Sequence, residues 1–197
     1  SVTGLDVSAA SEGSINILAD HADVAGNNAI QASQSIDKDA TAPNPGDFTW
    51  IMASPNNGTT SSDNTPYINM IGGGGANNGT VAIHDNPTCT NQVGATQPIV
   101  AGTSDHSDLV YATDGSDDGS INFYVIVTDE AGNTASCYDI SRGYTLDTVD
   151  PTVAITSFPN INQSNVSSYS FSGTCSENGR QVTVSVDGIN PGAQPPC

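Results

Sequence analysis

Gly119-Ser-Ile-Asn-Phe-Tyr-Val-Ile-Val-Thr-Asp-Glu-Ala-Gly-Asn133 decides the fold, because it is a second copy of Gly13-Ser-Ile-Asn-Ile-Leu-Ala-Asp-His-Ala-Asp-Val-Ala-Gly-Asn27. The two copies lie 106 positions apart without a gap and agree at eight of fifteen places. Each has one layout: a turn, an alternating apolar run, then Asp-x-Ala-Gly-Asn. Alternation at period two is the mark of a half-buried strand, and the Asp/Gly/Asn cluster that ends it is turn chemistry. Self-similarity at a long fixed spacing is the signature of a repeat array.

The register continues beyond the copy. Asp39-Ala-Thr-Ala-Pro43 matches Asp147-Thr-Val-Asp-Pro151 at an offset of 108, so the repeat turns over at these prolines. Residues 43–150 therefore read as one complete module, 1–42 as the back half of a module and 151–197 as a front half. On this reading the chain starts and stops in mid-module. The front half is expected to be completed by a 1–42-type segment of a neighbouring copy or of adjoining chain, with Ile15 and Ile17 facing the Val-rich strands around Val182, Val184 and Val186.

Composition supports an all-β class. The 20 Gly and 11 Pro, with abundant Ser, Thr and Asn and no long run at helical period, point to short strands joined by turns. With 36% apolar and 6% aromatic residues, the core should be thin. Within the complete module, Ile121, Phe123, Val125 and Val127 are the residues expected to line the inner face of the central strand. Against 21 acidic residues stand only Lys38, Arg142 and Arg180, giving a net charge of −18. Such a chain repels nucleic acid and anionic membrane, and its natural partners are cations.

Cys89, Cys137, Cys175 and Cys197 are even in number and free of Cys-x-x-Cys spacing, which favours disulfides over zinc. Module boundaries favour Cys89 with Cys137 and Cys175 with Cys197. Disulfides imply an oxidising compartment, so the expected location is secreted or on the cell surface. No run approaches the roughly 18 apolar residues of a membrane span.

Thr-Asp-Glu-Ala-Gly-Asn at 128–133, Asp-Thr-Val-Asp-Pro-Thr-Val at 147–153, Phe-Ser-Gly-Thr-Cys-Ser-Glu-Asn-Gly at 171–179 and Val-Thr-Gly-Leu-Asp-Val-Ser at 2–8 resemble the bacterial immunoglobulin-like repeats of giant secreted adhesins and surface fibres. The resemblance covers most of the chain, least well 54–118. It implies tandem immunoglobulin-like β-sandwich modules, stacked head-to-tail as an elongated stalk or filament, and calcium bound between modules. The alternative is a carbohydrate- or surface-binding module using an exposed Trp50 or the polar loop 54–66.

The placement of Asp is the main chemical signal. Asp23 and Asp129 precede Ala-Gly-Asn at a module pole, while Asp39, Asp147 and Asp150 sit at the linkers, so stacking brings the two groups toward one junction. Calcium takes 6–8 oxygens in a tolerant geometry; the competing reading is that these residues form Asx-turns and end strands. Asp114-Gly-Ser-Asp-Asp-Gly119 opens like an EF-hand loop, but the twelfth position is Val125 where a bidentate Glu is needed, so it reads as a turn. Gly72–Gly75 lacks the following helix and Lys of a phosphate loop and reads as a hairpin or backbone contact. His21, His84 and His106 are scattered outside any hydrolase motif, which makes the chain non-enzymatic. Lys38 reads as a solvated linker charge rather than a partner in an isopeptide bond.

Overall fold

The computed structural model describes residues 3–72, 76–188 and 196–197. It separates into Ser1–Thr148 and Val149–Cys197, dividing the chain at the second proline linker. Among the described residues no helix is long and apolar enough to cross a membrane. Gly73–Gly75, the centre of the glycine run, lies outside the described residues.

The complete module is a sandwich of two sheets. Its strands are β3 (Thr49–Ser54), β4 (Thr60–Ser61), β5 (Tyr67–Ile71), β6 (Thr80–His84), β7 (Gln92–Pro98), β8 (Thr103–His106), β9 (Gly119–Thr128) and β10 (Tyr138–Leu146). One sheet has the order β3-β5-β8 and the other β4-β10-β9-β6-β7. The pairings are antiparallel except β4 with β10, which run parallel. The chain thus begins in the small sheet at β3 and crosses to the edge of the large one at β4. With β6, β9 and β10 opposite β3, β5 and β8, this is the immunoglobulin-like arrangement.

The repeated stretch forms β9, the central strand of the large sheet, hydrogen-bonded to β10 on one side and β6 on the other. Its alternate residues Ile121, Phe123, Val125 and Val127 are buried. They join one hydrophobic cluster with Trp50 and Met52 of β3, Ile68 and Met70 of β5 and Val81 and Ile83 of β6. Each such side chain contributes about 1.5–3 kcal/mol by leaving water. Phe123 also stacks on Tyr144 at 6.3 Å. At the end of β9 the packing is too close for any side chain: a Cβ on Gly79 would lie 2.1 Å from the carbonyl oxygen of Thr128.

Trp50 is only 5% exposed, which overturns its expected role as a surface platform. The reason is register: β3 alternates so that Trp50 and Met52 point inward, opposite Met70 and Ile68. The buried indole Nε1–H donates to the Pro45 carbonyl at 3.0 Å, which satisfies its polar atom.

The flanking segments supply the remaining strands. In 1–42, β1 (Gly13–Ala19) pairs antiparallel with β2 (Ala32–Lys38), setting Ile15 opposite Ile36. In 149–197, β11 (Val153–Ser157) pairs with β12 (Ser172–Cys175), with an irregularity between Ile155 and Ser157. The β3–β5 pair breaks register in the same way between Met52 and Ser54. Val153 and Ile155 thereby take the places of Trp50 and Met52. The expected strand through Val182, Val184 and Val186 does not form; residues 182–185 have no regular secondary structure. In the complete module the strand after Asn78-Gly79 is β6, which lies between β7 and β9. A strand of β9 type is absent among the described residues of 149–197.

Both disulfides pair as read from the module boundaries, Cys89 with Cys137 and Cys175 with Cys197. The first ties the β6–β7 loop to the entry of β10, within the large sheet. The two sheets are held together by the apolar core and by the Arg142 Nε of β10, which donates to the Trp50 carbonyl of β3 at 3.0 Å. Replacing Cys89 and Cys137 together by Ser should lower the stability of the module by about 2–4 kcal/mol, because the bridge closes a long loop; urea unfolding followed by Trp50 fluorescence measures it.

His106 generates a pH prediction. It is fully buried on β8, its Nε2 3.1 Å from the Ser104 hydroxyl and its Nδ1 without a hydrogen-bond partner. Burial lowers its pKa to about 4, against the opposing charges of Asp108 and Asp105. The folded state thus resists protonation relative to the unfolded chain. Its contribution should be complete above about pH 6.5 and should be lost progressively down to pH 4, by roughly 3 kcal/mol in all. His106→Gln should flatten the stability profile over that window, as read by thermal unfolding at stepped pH.

Candidate functional site

The candidate site grows from the turn that closes β9. Asp129 and Asn133 bracket it, the Asp129 amide donating to the Asn133 carbonyl at 3.1 Å and the Gly132 amide to the Asp129 carbonyl at 3.2 Å. The Asp129 carboxylate then accepts from the Asn133 amide at 2.8 Å and from its side-chain Nδ2 at 3.0 Å. Gly132 has φ +91°, the left-handed conformation glycine adopts without penalty. Asp23 repeats the wiring, accepting from the Asn27 amide at 2.9 Å and Nδ2 at 2.8 Å, with Gly26 at φ +88°. The spacing Asp-x-Ala-Gly-Asn is therefore a specific turn: acid first, glycine at the left-handed position, Asn last to close on the acid.

Burial raises the Asp129 pKa, but the hydrogen bonds from Asn133 and the neighbouring amides outweigh it and hold the carboxyl below its ordinary range. The Asn27 side chain and backbone do the same for Asp23. Both acids are thus ionised at neutral pH.

The linker meets this turn at one point. Asn133 Nδ2 also donates to the Asp39 carbonyl at 3.2 Å and its carboxylate at 3.4 Å. Asp129 of the complete module and Asp39 of the preceding linker therefore share one amide. Glu12 holds the same linker through the Ala40 amide at 2.8 Å. Lys38 is not a solvated linker charge: its Nζ donates to the Ala10 carbonyl at 2.6 Å and pairs with Glu12 at 3.2 Å, with the side chain only 16% exposed.

The other acids are apart from this point. The Asp147 amide donates to the Ser61 carbonyl at 3.0 Å as the chain leaves β10. Asp150 is exposed in the 149–197 unit. Among the described residues no three His, Cys, Asp or Glu side chains are grouped to hold a metal. What the junction does offer is the carboxylates of Asp39 and Asp129 and the Asp39 carbonyl, hard oxygen donors of the class calcium takes, with Asn133 Nδ2 between them. The acids of the EF-hand-like stretch are engaged locally, Asp114 by Ser116, Asp117 by the Ala112 amide and Asp118 by Thr148. That stretch is a turn, as expected.

Asn133 is the residue whose role composition and charge did not reveal. The signal was its recurrence four places after the acid in both copies. The Ser104–His106 pair is the only hydroxyl–imidazole contact within the described hydrogen bonds, and burial of both residues closes it to any substrate. On the module surface a shallow polar groove runs past Asn57, Asn122, Asp139, Arg142 and Thr145. With Trp50 in the core, only the polar loop 54–66 of the two sugar-binding candidates stays at the surface.

No known protein family and no curated protein matches the sequence. Among solved structures, the chain is similar to a tetra-tandem repeat from the extending region of a large adhesion protein. Identity is 23% with a TM-score of 0.42, over 88% of this chain and 41% of that one. It is also similar to a Ca2+-stabilized adhesin that helps an Antarctic bacterium reach out and bind ice. There identity is 20% with a TM-score of 0.31, over 89% of this chain and 44% of that one. Both are adhesion proteins. This chain spans less than half the length of either.

Asn133→Ala should destabilise the complete module by about 1 kcal/mol, since it removes the side-chain donor that closes on Asp129. The matched Asn27→Ala should leave the Trp50-monitored unfolding of that module unchanged. Equal effects from the two substitutions would show that Asn133 has no special place in it.

Proposed function

We propose that the chain is a length of a non-enzymatic extracellular stalk or filament of an adhesin, whose immunoglobulin-like modules stack head-to-tail and are stiffened by calcium at their junctions. Residues 1–42 and 151–197 are, on this reading, a back half and a front half of such modules flanking the complete one at 43–150. The observation that carries the reading is the sharing of Asn133 between Asp129 and Asp39, which ties the pole of one module to the linker before it. Repetition of the sequence extends the scheme: Asp23 stands to its own turn as Asp129 does, and Asp147 and Asp150 stand at the next linker as Asp39 does at this one. The net charge of −18 supports a cation as the stiffening agent, because it relieves repulsion that otherwise opposes compaction. Two disulfides support an oxidising, extracellular setting.

Calcium should supply oxygen-bound positive charge at Asp39 and Asp129 and lock the linker. At a hundredfold excess over its dissociation constant, one bound ion stabilises the folded state by about 2.7 kcal/mol. Chelation should therefore lower the melting temperature by several degrees and loosen the scattering envelope, with Asp39→Ala abolishing both responses. An unchanged melt and envelope with and without calcium would leave the acids as turn formers only.

A further inference from the structure

Four Asn-x-Ser/Thr triplets with a middle residue other than proline occur in the chain: Asn57-Gly-Thr59, Asn78-Gly-Thr80, Asn162-Gln-Ser164 and Asn165-Val-Ser167. This triplet is the acceptor pattern for N-linked sugar on surface loops of secreted proteins, and the side-chain contacts separate the four. At Asn57 the side-chain oxygen accepts from the Gly143 amide at 2.8 Å, and the Thr59 hydroxyl turns away to the Asn56 carbonyl at 2.6 Å. At Asn78 the nitrogen that a sugar would take donates to Glu130 at 3.0 Å. At Asn165 the side chain is engaged at both ends, Oδ1 accepting from the Asn162 amide at 2.7 Å and Nδ2 donating to the Asn160 carbonyl at 2.9 Å. Asn162 differs from all three. It is exposed, its Oδ1 accepts from the Ser164 amide at 2.9 Å and the Ser164 hydroxyl at 2.6 Å, and its Nδ2 has no hydrogen-bond partner among the described residues.

Taking the chain as extracellular, we propose that Asn162 is a glycosylation site, its Nδ2 the acceptor of a sugar delivered by a glycosyltransferase from a sugar diphosphate donor. An amide nitrogen is a poor nucleophile while it keeps its proton. The two hydrogen bonds from Ser164 hold charge on Oδ1 and so ease removal of a proton from Nδ2, which leaves that nitrogen free to attack. Transfer forms the bond between Nδ2 and the anomeric carbon and breaks the bond from that carbon to the phosphate oxygen. The electron pair leaves with the phosphate, and the Nδ2 proton goes to a base of the transferase. The backbone holds the acceptor ready, since the Asn165 and Val166 amides donate to the Asn162 carbonyl at 3.2 and 3.0 Å. Access comes from the position in the fold: Asn162 lies in the loop between β11 and β12, the place that loop 54–66 takes between β3 and β5. There Asn57 is exposed with every strand of the complete module around it.

Mass-spectrometric glycopeptide mapping of the chain, as released by the cells that make it, tests this. The peptide holding Asn162 should carry a sugar, and enzymatic release of that sugar should leave Asp at 162, while Asn57, Asn78 and Asn165 stay unmodified. Ser164→Ala should abolish the modification, because the hydroxyl is lost, and Ser164→Thr should retain it. The Cys175–Cys197 bridge, read in the same map, reports that the segment is folded in each variant. An unmodified Asn162, a sugar on one of the other three instead, or full modification of Ser164→Ala would each overturn the assignment. Intact disulfides support the extracellular setting independently, so an unmodified Asn162 beside them removes the site and leaves that setting standing.

Discussion

A sheet with one apolar face needs a second sheet, and that requirement shapes this chain from end to end. In the complete module it is met within the 108 residues 43–150, where the large sheet presses Ile121, Phe123, Val125 and Val127 against Trp50, Met52, Ile68 and Met70. No disulfide crosses between the sheets, since Cys89–Cys137 lies at the end of the large one. The stability of the sandwich consequently rests on apolar burial and close approach, with Gly79 marking how tightly β6 meets the end of β9. In β1–β2 and β11–β12 the same residue types stand exposed among the described residues, Ile17 and Ile36 on the first pair and Val153 and Ile155 on the second.

The second constraint is charge. A net charge of −18 over 197 residues works against compaction, and Asp39 and Asp129 share one amide where the linker meets the complete module. The turn Asp-x-Ala-Gly-Asn places a carboxylate at the module pole and an Asn amide able to reach the linker. One Asn side chain thereby serves the fold of its own module and the joint with the preceding segment. A joint built on hydrogen bonds to carboxylates is tunable by cations in a way that an apolar joint is not.

Much of this was legible in the residues. Period-two alternation within the repeated stretch identified the buried face of β9, and of the module boundaries drawn from the offset of the two linkers the second lies where the chain divides, between Thr148 and Val149. The pairing of the four cysteines followed from those boundaries. Trp50 was misread because a single aromatic in a polar neighbourhood has no period of its own; only the pairing of β3 with β5 turns it inward. The strand expected at 182–186 did not form, since alternation describes a strand's two faces and not its pairing, and residues 182–185 have no regular secondary structure. Lys38 looked solvated because its partners, the Ala10 carbonyl and Glu12, lie far back in sequence and meet it only through the β1–β2 pairing. Asn133 could be seen as a motif letter, but its contact with Asp39 spans 94 positions.

Residue-resolved amide hydrogen exchange on the 197-residue chain tests the central claim most directly, because it compares β9 with its own duplicate β1 in one experiment. In dilute solution β9, paired on both edges and covered by the second sheet, should exchange only through global unfolding, while β1 should exchange orders of magnitude faster. Equal protection of β1 and β9 would contradict the account.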